Sequence, residues 1–468
     1  MTRHSCGSSP AAPASLPDDG DLLWEVLLRL PPKPSSLPRA SAVCKRWRCI
    51  ATDTKFLRCF YAHHRKPPLL GFFHRRNQEG IVFTPILDAP DHVPPQRFNF
   101  GFHGRVGDNH HRSRGELLEC RHGRVLVIDL VRTEVLVCDP ITREQHHMSV
   151  PPEFRGYYLN GAVLCAAAEQ GHVHGGCYSS PFNVVLASIC RKSNLPFVCV
   201  YSSESGIWGN IISAEAPYAI NCDGCPSTLV GNSLYWLLSS IGNGILKFDL
   251  DRQSLAVIKG PPGTSDRGIH QIIRAEDGSV GMATFNHPWL KIWHMKVNNC
   301  QGVSTWLLWK IIEIRSVLGI PSHIQRIAVT REDKFLGYDE GTDVVFLLVD
   351  GGVYMLRLRS MQSKKLYEAN YNNTTKHHPF ASFYTLETSP RPSLVAICEI
   401  RARVDESTRK REEVEINNRR MEEMFAQQRE MRARQQERMA RQQAACEVRF
   451  TVFDSYFERA SASSSSYS

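Results

Sequence analysis

Along residues 21–30, DLLWEVLLRL, polar side chains recur at Asp21, Glu25 and Arg29, and everything between them is large and apolar. On a helix these three fall in one narrow stripe. Leu22, Leu23, Trp24, Val26, Leu27, Leu28 and Leu30 then spread over the remaining surface. A surface helix carries its apolar residues on one side only, so this arc is wider than two short neighbours can cover. Leu16-Pro17-Asp18-Asp19 supplies an N-terminal start with carboxylates in the first turn. Pro31-Pro32 stops the helix, because proline lacks the N–H and clashes with the preceding turn. Ser35-Ser36 offer N-caps for a second helix near 37–43; a third is expected over 45–51 and a fourth over 55–64, before Pro67-Pro68.

From about 69 to 400 the pattern changes to short β-branched and aromatic runs separated by Gly, Asp, Asn and Ser. RVLVIDLVRTEVLVCDPITREQHHMSV, PFVCVYSSESGIWGNII and SLYWLLSSIGNGILKFDLDRQSLAVIKG share one shape, a strand, a polar turn and another strand. LKIWHMKVNNCQGVSTWLLWKIIEI and DVVFLLVDGGVYMLRLRSMQSKKLYEA repeat it, and turn landmarks fall 47 to 64 residues apart. Blade-like repeats of this size predict a β-propeller or a similar all-β array. Residues 401–447 contain no Pro or Gly and are dense in Glu and Arg at helical spacing, which predicts a long charged helix. Its seam through Val414, Met421, Met424 and Met431 is broken by Asn417, Gln428, Gln435 and Arg438, too polar for a stable coiled coil.

The expected architecture is therefore α+β and multidomain. Residues 1–15 form a disordered leader, 16–66 a small helical domain, 67–400 a large all-β propeller-like domain, 401–447 a charged helix and 448–468 a disordered tail. No apolar run approaches the length of a membrane span or a signal-peptide core, so a soluble, non-secreted protein is expected. Fifteen scattered cysteines fit buried thiols in a reducing compartment, cytoplasm or nucleus. The net charge of +9 is concentrated: between Lys33 and Arg76 eleven Lys and Arg stand against one acid, Asp53. Such a patch points to an acidic partner. The 401–448 segment carries twelve basic and ten acidic residues and one aromatic, Phe425, so nucleic-acid binding by stacking is not expected.

Two fates are open for the surplus apolar surface of the first helix. It packs on the β-domain of the same chain, or it docks on another protein. LPDDGDLLWEVLLRLPPKPSSLPRASAVCKRWRCI resembles an F-box: a Leu-Pro start, an apolar helix with an internal Glu, a Leu-Pro stop, a Ser/Leu-containing second helix, then Val-Cys-Lys-x-Trp. The continuation FLRCFYAHHRKPPLLGFF resembles the F-box proteins that are numerous in grasses, and the β-rich remainder resembles the domain that follows such F-boxes in plants. The spacing departs slightly, with an extra residue or so before Leu22 and a first turn lengthened by Pro32-Lys33-Pro34.

The resemblance implies docking on an acidic Skp-type adaptor and, through it, a cullin-RING ubiquitin ligase. The β-domain would present an unidentified protein substrate, and no catalysis of the chain's own is implied. Carried over by position, the adaptor-binding residues are Leu16, Pro17, Leu22, Leu23, Val26, Leu27, Leu30, Pro31, Leu37, Val43, Cys44 and Trp47. Some of them must hold the helices together instead of touching the partner. The alternative is an interaction scaffold, a propeller without a part in ubiquitin transfer.

Other motifs carry less. GPPGTSDRG at 260–268 begins like a phosphate-binding loop but has Asp266 where the lysine belongs. HVHGGC (His172, His174, Cys177) and CDGC (Cys222, Cys225) have ligand-like spacing, but a structural zinc would need both together and nothing in the sequence joins them. They are read as loop residues, and no metal or cofactor is expected. The pairs His63-His64, His110-His111, His146-His147 and His377-His378 lie in polar stretches and are expected at the surface. No nucleophile elbow and no tuned carboxylate pair is visible.

Overall fold

The structure, a computed structural model, describes residues 20–76, 80–98, 115–155, 159–167, 172–177, 180–190, 192–215, 226–238, 244–262, 269–286, 288–297, 304–321, 333–369, 375–384 and 441. The chain forms two compact units, Met1–Ser389 and Pro390–Ser468, and all described residues but Arg441 lie in the first. The expected leader, tail and charged helix thus fall outside the described residues, Arg441 apart.

Four helices open the first unit: α1 Gly20–Leu28, α2 Ser36–Ser41, α3 Lys45–Ala51 and α4 Thr54–His64. The first ends at Leu28, short of the expected Leu30, because a residue preceding proline is pushed out of the helical region. Asp53 caps α4 by accepting from the Lys55 and Phe56 N–H groups. One small core holds the four together: Leu23, Leu27, Leu37, Ala40, Ala51, Phe56 and Phe60, with Trp24 set edge-on to Phe56 at 5.0 Å.

The rest is a ring of six antiparallel sheets. Blade II comprises Gly115–Arg121, Arg124–Asp129, Glu134–Cys138 and Gln145–Ser149. Blade III is Asn160–Cys165, Phe182–Ile189 and Pro196–Ser202, edged by Ile207–Trp208 and Ile212–Ser213. Blade IV is Thr228–Val230, Ser233–Leu238, Gly244–Asp249 and Ser254–Lys259. Blade V is Ile269–Arg274, Val280–Asn286, Trp289–Val297 and Ser304–Glu313. Blade VI is Lys334–Asp339, Val344–Val349, Gly352–Arg357 and Gln362–Glu368. Blade I is composite: Leu69–Arg76 pairs with Gly80–Pro85 on one side and with His377–Ala381 on the other. Phe73 faces His378 and His74 faces His377 in that last pairing, so strands some 300 residues apart close the ring.

Each pair of adjacent blades encloses its own apolar cluster, six in all. Strand alternation feeds two of them at once: Leu234, Trp236 and Leu238 point to blade III, Tyr235 to blade V. This is why strands such as Arg124–Asp129 and Val344–Val349 are buried along their whole length and read as nearly unbroken apolar runs. Blade I requires close backbone approach, since a Cβ on Gly337 would sit 2.0 Å from the His377 carbonyl oxygen.

Candidate functional site

The helical module sorts the residues expected to bind a partner. Leu16 and Pro17 lie outside the described residues. Leu23, Leu27 and Leu37 are 3%, 0% and 4% exposed and belong to the module's own core. Leu30 and Trp47 are half-buried against that core. Leu22, Val26 and Val43 are 48%, 41% and 55% exposed, and Pro31 and Cys44 are open as well. The Glu25–Arg29 ion pair, 3.1 Å, lies on the polar stripe, and the Arg46 guanidinium reaches the Gly20 end of α1. The start of α3, led in by Val43 and Cys44, is thereby set beside the start of α1, with Lys45 and Arg46 exposed around it.

The module is seated on the propeller by other residues. Tyr61 of α4 stacks on Phe383 at 4.4 Å and lies against Gly176, while Pro67 lies against Gly175. Ser35 N and Oγ both donate to Asp91 Oδ1, at 3.2 and 2.6 Å, with Lys33 Nζ 3.5 Å from the other oxygen. Burial raises the Asp91 carboxyl, and the Ser35 hydrogen bonds and Lys33 outweigh it, so its pKa falls below the usual value. Ser35 thus stands at the expected N-cap of α2, but its side chain makes no cap bond and serves this seat instead. The apolar residues Leu22 and Val26 are left uncovered by it.

A cavity of about 420 Å³ lies on the propeller axis under the Arg65–Pro67 linker. Its wall holds a buried ion cluster. Arg121 Nη1 lies 2.7 Å from Glu119 Oε1, and Arg121 Nε donates to Glu340 Oε1 at 2.7 Å. Ser227 Oγ donates to Glu119 at 2.7 Å, and the N–H groups of Val163 and Leu229 donate to Glu119 and Glu340. One guanidinium between two carboxylates so joins blades II, III, IV and VI. Burial pushes the Glu119 carboxyl up to about 8 in spite of Arg121. Every donor here is committed to a neighbour, so the cluster acts as a structural staple. The alternation Glu119, Cys120, Arg121 on an inner strand is its only trace in the sequence.

The edge strand of blade V carries a second exposed apolar strip. Leu307, Leu308, Trp309 and Ile311 are 44–59% exposed on Ser304–Glu313, and Trp309 stacks on His294 at 4.9 Å. Sequence reasoning placed these residues in a blade without recognising that this strand ends the sheet.

The remaining motifs resolve as follows. In GPPGTSDRG, residues 263–268 lie outside the described ones, as do Cys222 and Cys225 of CDGC and the pair His110-His111. His63, His146 and His147 are exposed and His64 is half-buried. His377 and His378, expected at the surface, are 0% and 3% exposed because they form the strand that closes the ring. In HVHGGC, His174 is exposed, His172 half-buried and Cys177 buried. The structure brings His172, His174 and Cys177 together with Cys165, which sequence reasoning missed. All four ligand atoms lie within 4.8 Å of one another, and among the described residues this is the one cluster able to hold a metal. Hydrogen bonds from Cys177 and His174 lower the Cys165 thiol, while donation to Cys165 and burial raise that of Cys177.

Four helices that bury one core and leave an apolar face open are thus followed by a six-bladed β-propeller. The F-box domain family matches residues 14–59, and the family described as "F-box protein AT5G49610-like, beta-propeller" matches residues 116–385. The second match covers more than half of the sequence, and the chain belongs to that family. No curated protein matches it. Among solved structures, the extracellular domain of a putative one-component system from B. thetaiotaomicron is 13% identical over 64% of this chain and 35% of its own length, with a TM-score of 0.32. A putative 6-phosphogluconolactonase from Bacteroides fragilis is 13% identical over 52% of this chain and 65% of its own, TM-score 0.30. A luciferin-regenerating enzyme is 10% identical over 68% and 97%, TM-score 0.30. The chain thus spans about a third and about two thirds of the first two, and likenesses this distant do not bear on function.

Proposed function

We propose that this chain is the substrate-recognition adaptor of an SCF-type E3 ubiquitin ligase. F-box domains typically bind Skp-type adaptors. The helical module docks on such an adaptor, and through it on a cullin-RING ligase, while the propeller recruits a target protein. Ubiquitin transfer belongs to a separate enzyme, and the chain contributes proximity. One observation carries the reading: Leu22 and Val26 stay open on α1 after both the module's core and its seat on the propeller are complete. Burying a Leu-sized side chain contributes about 1.5–3 kcal/mol, so this face favours a partner. The exposed Lys45 and Arg46 beside it would steer an acidic one. On the propeller, the edge strand of blade V is the surface best suited to a target, with free strand edge and apolar side chains side by side. None of the nine described cysteines is disulfide-bonded, which fits work in cytoplasm or nucleus. The likeness of 56–73 to grass F-box proteins supports a plant origin.

The test is co-purification with a Skp-type adaptor. Wild type should bind, and Leu22→Asp with Val26→Asp should weaken binding at least about tenfold without loss of helical signal. Failure of wild type to bind overturns the adaptor reading. Undiminished binding by the double variant overturns the assignment of the face.

A further inference from the structure

We propose that Cys165, His172, His174 and Cys177 hold a structural Zn²⁺ ion that fixes the seat of the helical module on the propeller. Cys165 is the last residue of the inner strand of blade III, and the other three follow on the loop leading to Phe182. His172 Nε2 lies 3.2 Å from both Cys165 Sγ and Cys177 Sγ, and His174 Nδ1 lies 3.7 Å from Cys177 Sγ. Zinc–sulfur bonds of about 2.3 Å and zinc–nitrogen bonds of about 2.0–2.1 Å at tetrahedral angles set ligand atoms about 3.3–3.8 Å apart. The observed separations are of that size. Two thiolates and two imidazoles are the donor set that selects zinc, and four protein ligands make a closed, structural site.

The surroundings orient the ligands. His122 stacks on His174 at 3.7 Å with the rings 15° from parallel, and its Nδ1 accepts from the Cys165 N–H at 3.1 Å. Arg124 donates to the Cys177 carbonyl at 2.6 Å. Such outer partners fix ring and sulfur positions before a metal arrives.

The location gives the ion its task. Between His174 and Cys177 lies Gly175-Gly176, the surface on which Pro67 and Tyr61 of the module rest. The Gly175 carbonyl accepts from Ser382 Oγ at 2.9 Å and Phe383 N at 3.0 Å, and Phe383 in turn stacks on Tyr61. An ion clamping both sides of this dipeptide holds the module, the chain after the closing strand and blade III in one arrangement.

The experiment uses the full chain purified under reducing conditions, without added chelator. One zinc per chain is expected by elemental analysis. Replacement by Co²⁺ should give the visible absorption of a tetrahedral ion with thiolate charge transfer. Cys165→Ser with Cys177→Ser should lose both signals, while Cys222→Ser with Cys225→Ser keeps them. Stripping zinc from wild type should speed proteolysis at the exposed Arg65-Lys66 linker several-fold, and returning Zn²⁺ should reverse it. A folded wild type that carries no zinc and gives no cobalt spectrum overturns the proposal, as does a Cys165–Cys177 disulfide found by mass. Zinc lost on mutating Cys222 and Cys225 instead overturns the ligand assignment. Zinc removed without change in linker cleavage overturns the task given to it.

Discussion

Trp236 in blade IV and Leu27 in α1 are both fully buried, but their neighbours in sequence fare differently. In SLYWLL, residues 233–238, every side chain is buried except Leu237, which is half-buried. In GDLLWEVLL only Leu23 and Leu27 are buried, while Leu22 and Val26 are open. A blade has a neighbour on each face, so both halves of an apolar strand find cover within the chain. A helix in a module of about 50 residues has one core to serve, and a second apolar face is left for something else. Equal hydrophobicity thus means core in one region and an exposed face in the other.

The largest effect should come from emptying either core. Trp236→Ala should lower stability by about 3–5 kcal/mol and Leu27→Ala by about 2–5 kcal/mol, both read from urea unfolding. Trp236→Ala should act on the sheet signal and Leu27→Ala on the helical signal. If each variant shifts both signals together, module and ring unfold as one and the contrast fails.

Acid should act on the ring before the module. Burial lowers His74 to about 4 and His377 and His378 to about 3, so in the folded protein all three stay neutral far below the ordinary value of 6.5. The unfolded chain takes up those protons at about 6.5. The histidines' contribution to stability is therefore full above that pH and is lost as pH falls from about 6.5 toward 4, by up to about 1.4 kcal/mol per unit for each histidine. Unfolding free energies from urea titrations at pH 7 and pH 5 should differ by a few kcal/mol, and His378→Gln should flatten the dependence. A flat profile for wild type would place these histidines in contact with water.

Asp91→Ala removes the seat under Ser35 and Lys33. A loss of about 1.5 kcal/mol, the scale of a hydrogen bond to a charged group, should appear in thermal unfolding of the module. The smallest effect is expected at the open face: Leu22→Ser should change stability by no more than about 0.5 kcal/mol. A loss comparable to that of Leu27→Ala would mean that Leu22 belongs to the core after all.

The helical region was readable because prolines mark its ends, Pro31-Pro32 after the first helix and Pro67-Pro68 after the fourth. Five blades were readable because their outer strands are contiguous hairpins. Blade I was not, since its third strand lies at the other end of the domain and no local period links 69–85 to 377–381. Burial of His377-His378 escaped notice for the same reason. Within the helical module the sequence named the apolar residues but could not divide them. Leu22 and Leu23 are adjacent and chemically identical, and only the position of Phe56 and Phe60 decides which one is covered. Cys165 was invisible beside HVHGGC because a strand residue carries no ligand signature of its own.

The composite blade also sets an order of events during synthesis. The hairpin Leu69–Pro85 leaves the ribosome some 290 residues before His377–Ala381, a delay of roughly 15–60 s at about 5–20 residues per second. Throughout that interval Phe72 and Phe73, both fully buried in the finished ring, lack the strand that completes their sheet. A nascent chain of this family therefore displays an unfinished sheet edge for most of its translation. A truncation anywhere before residue 377 makes that condition permanent.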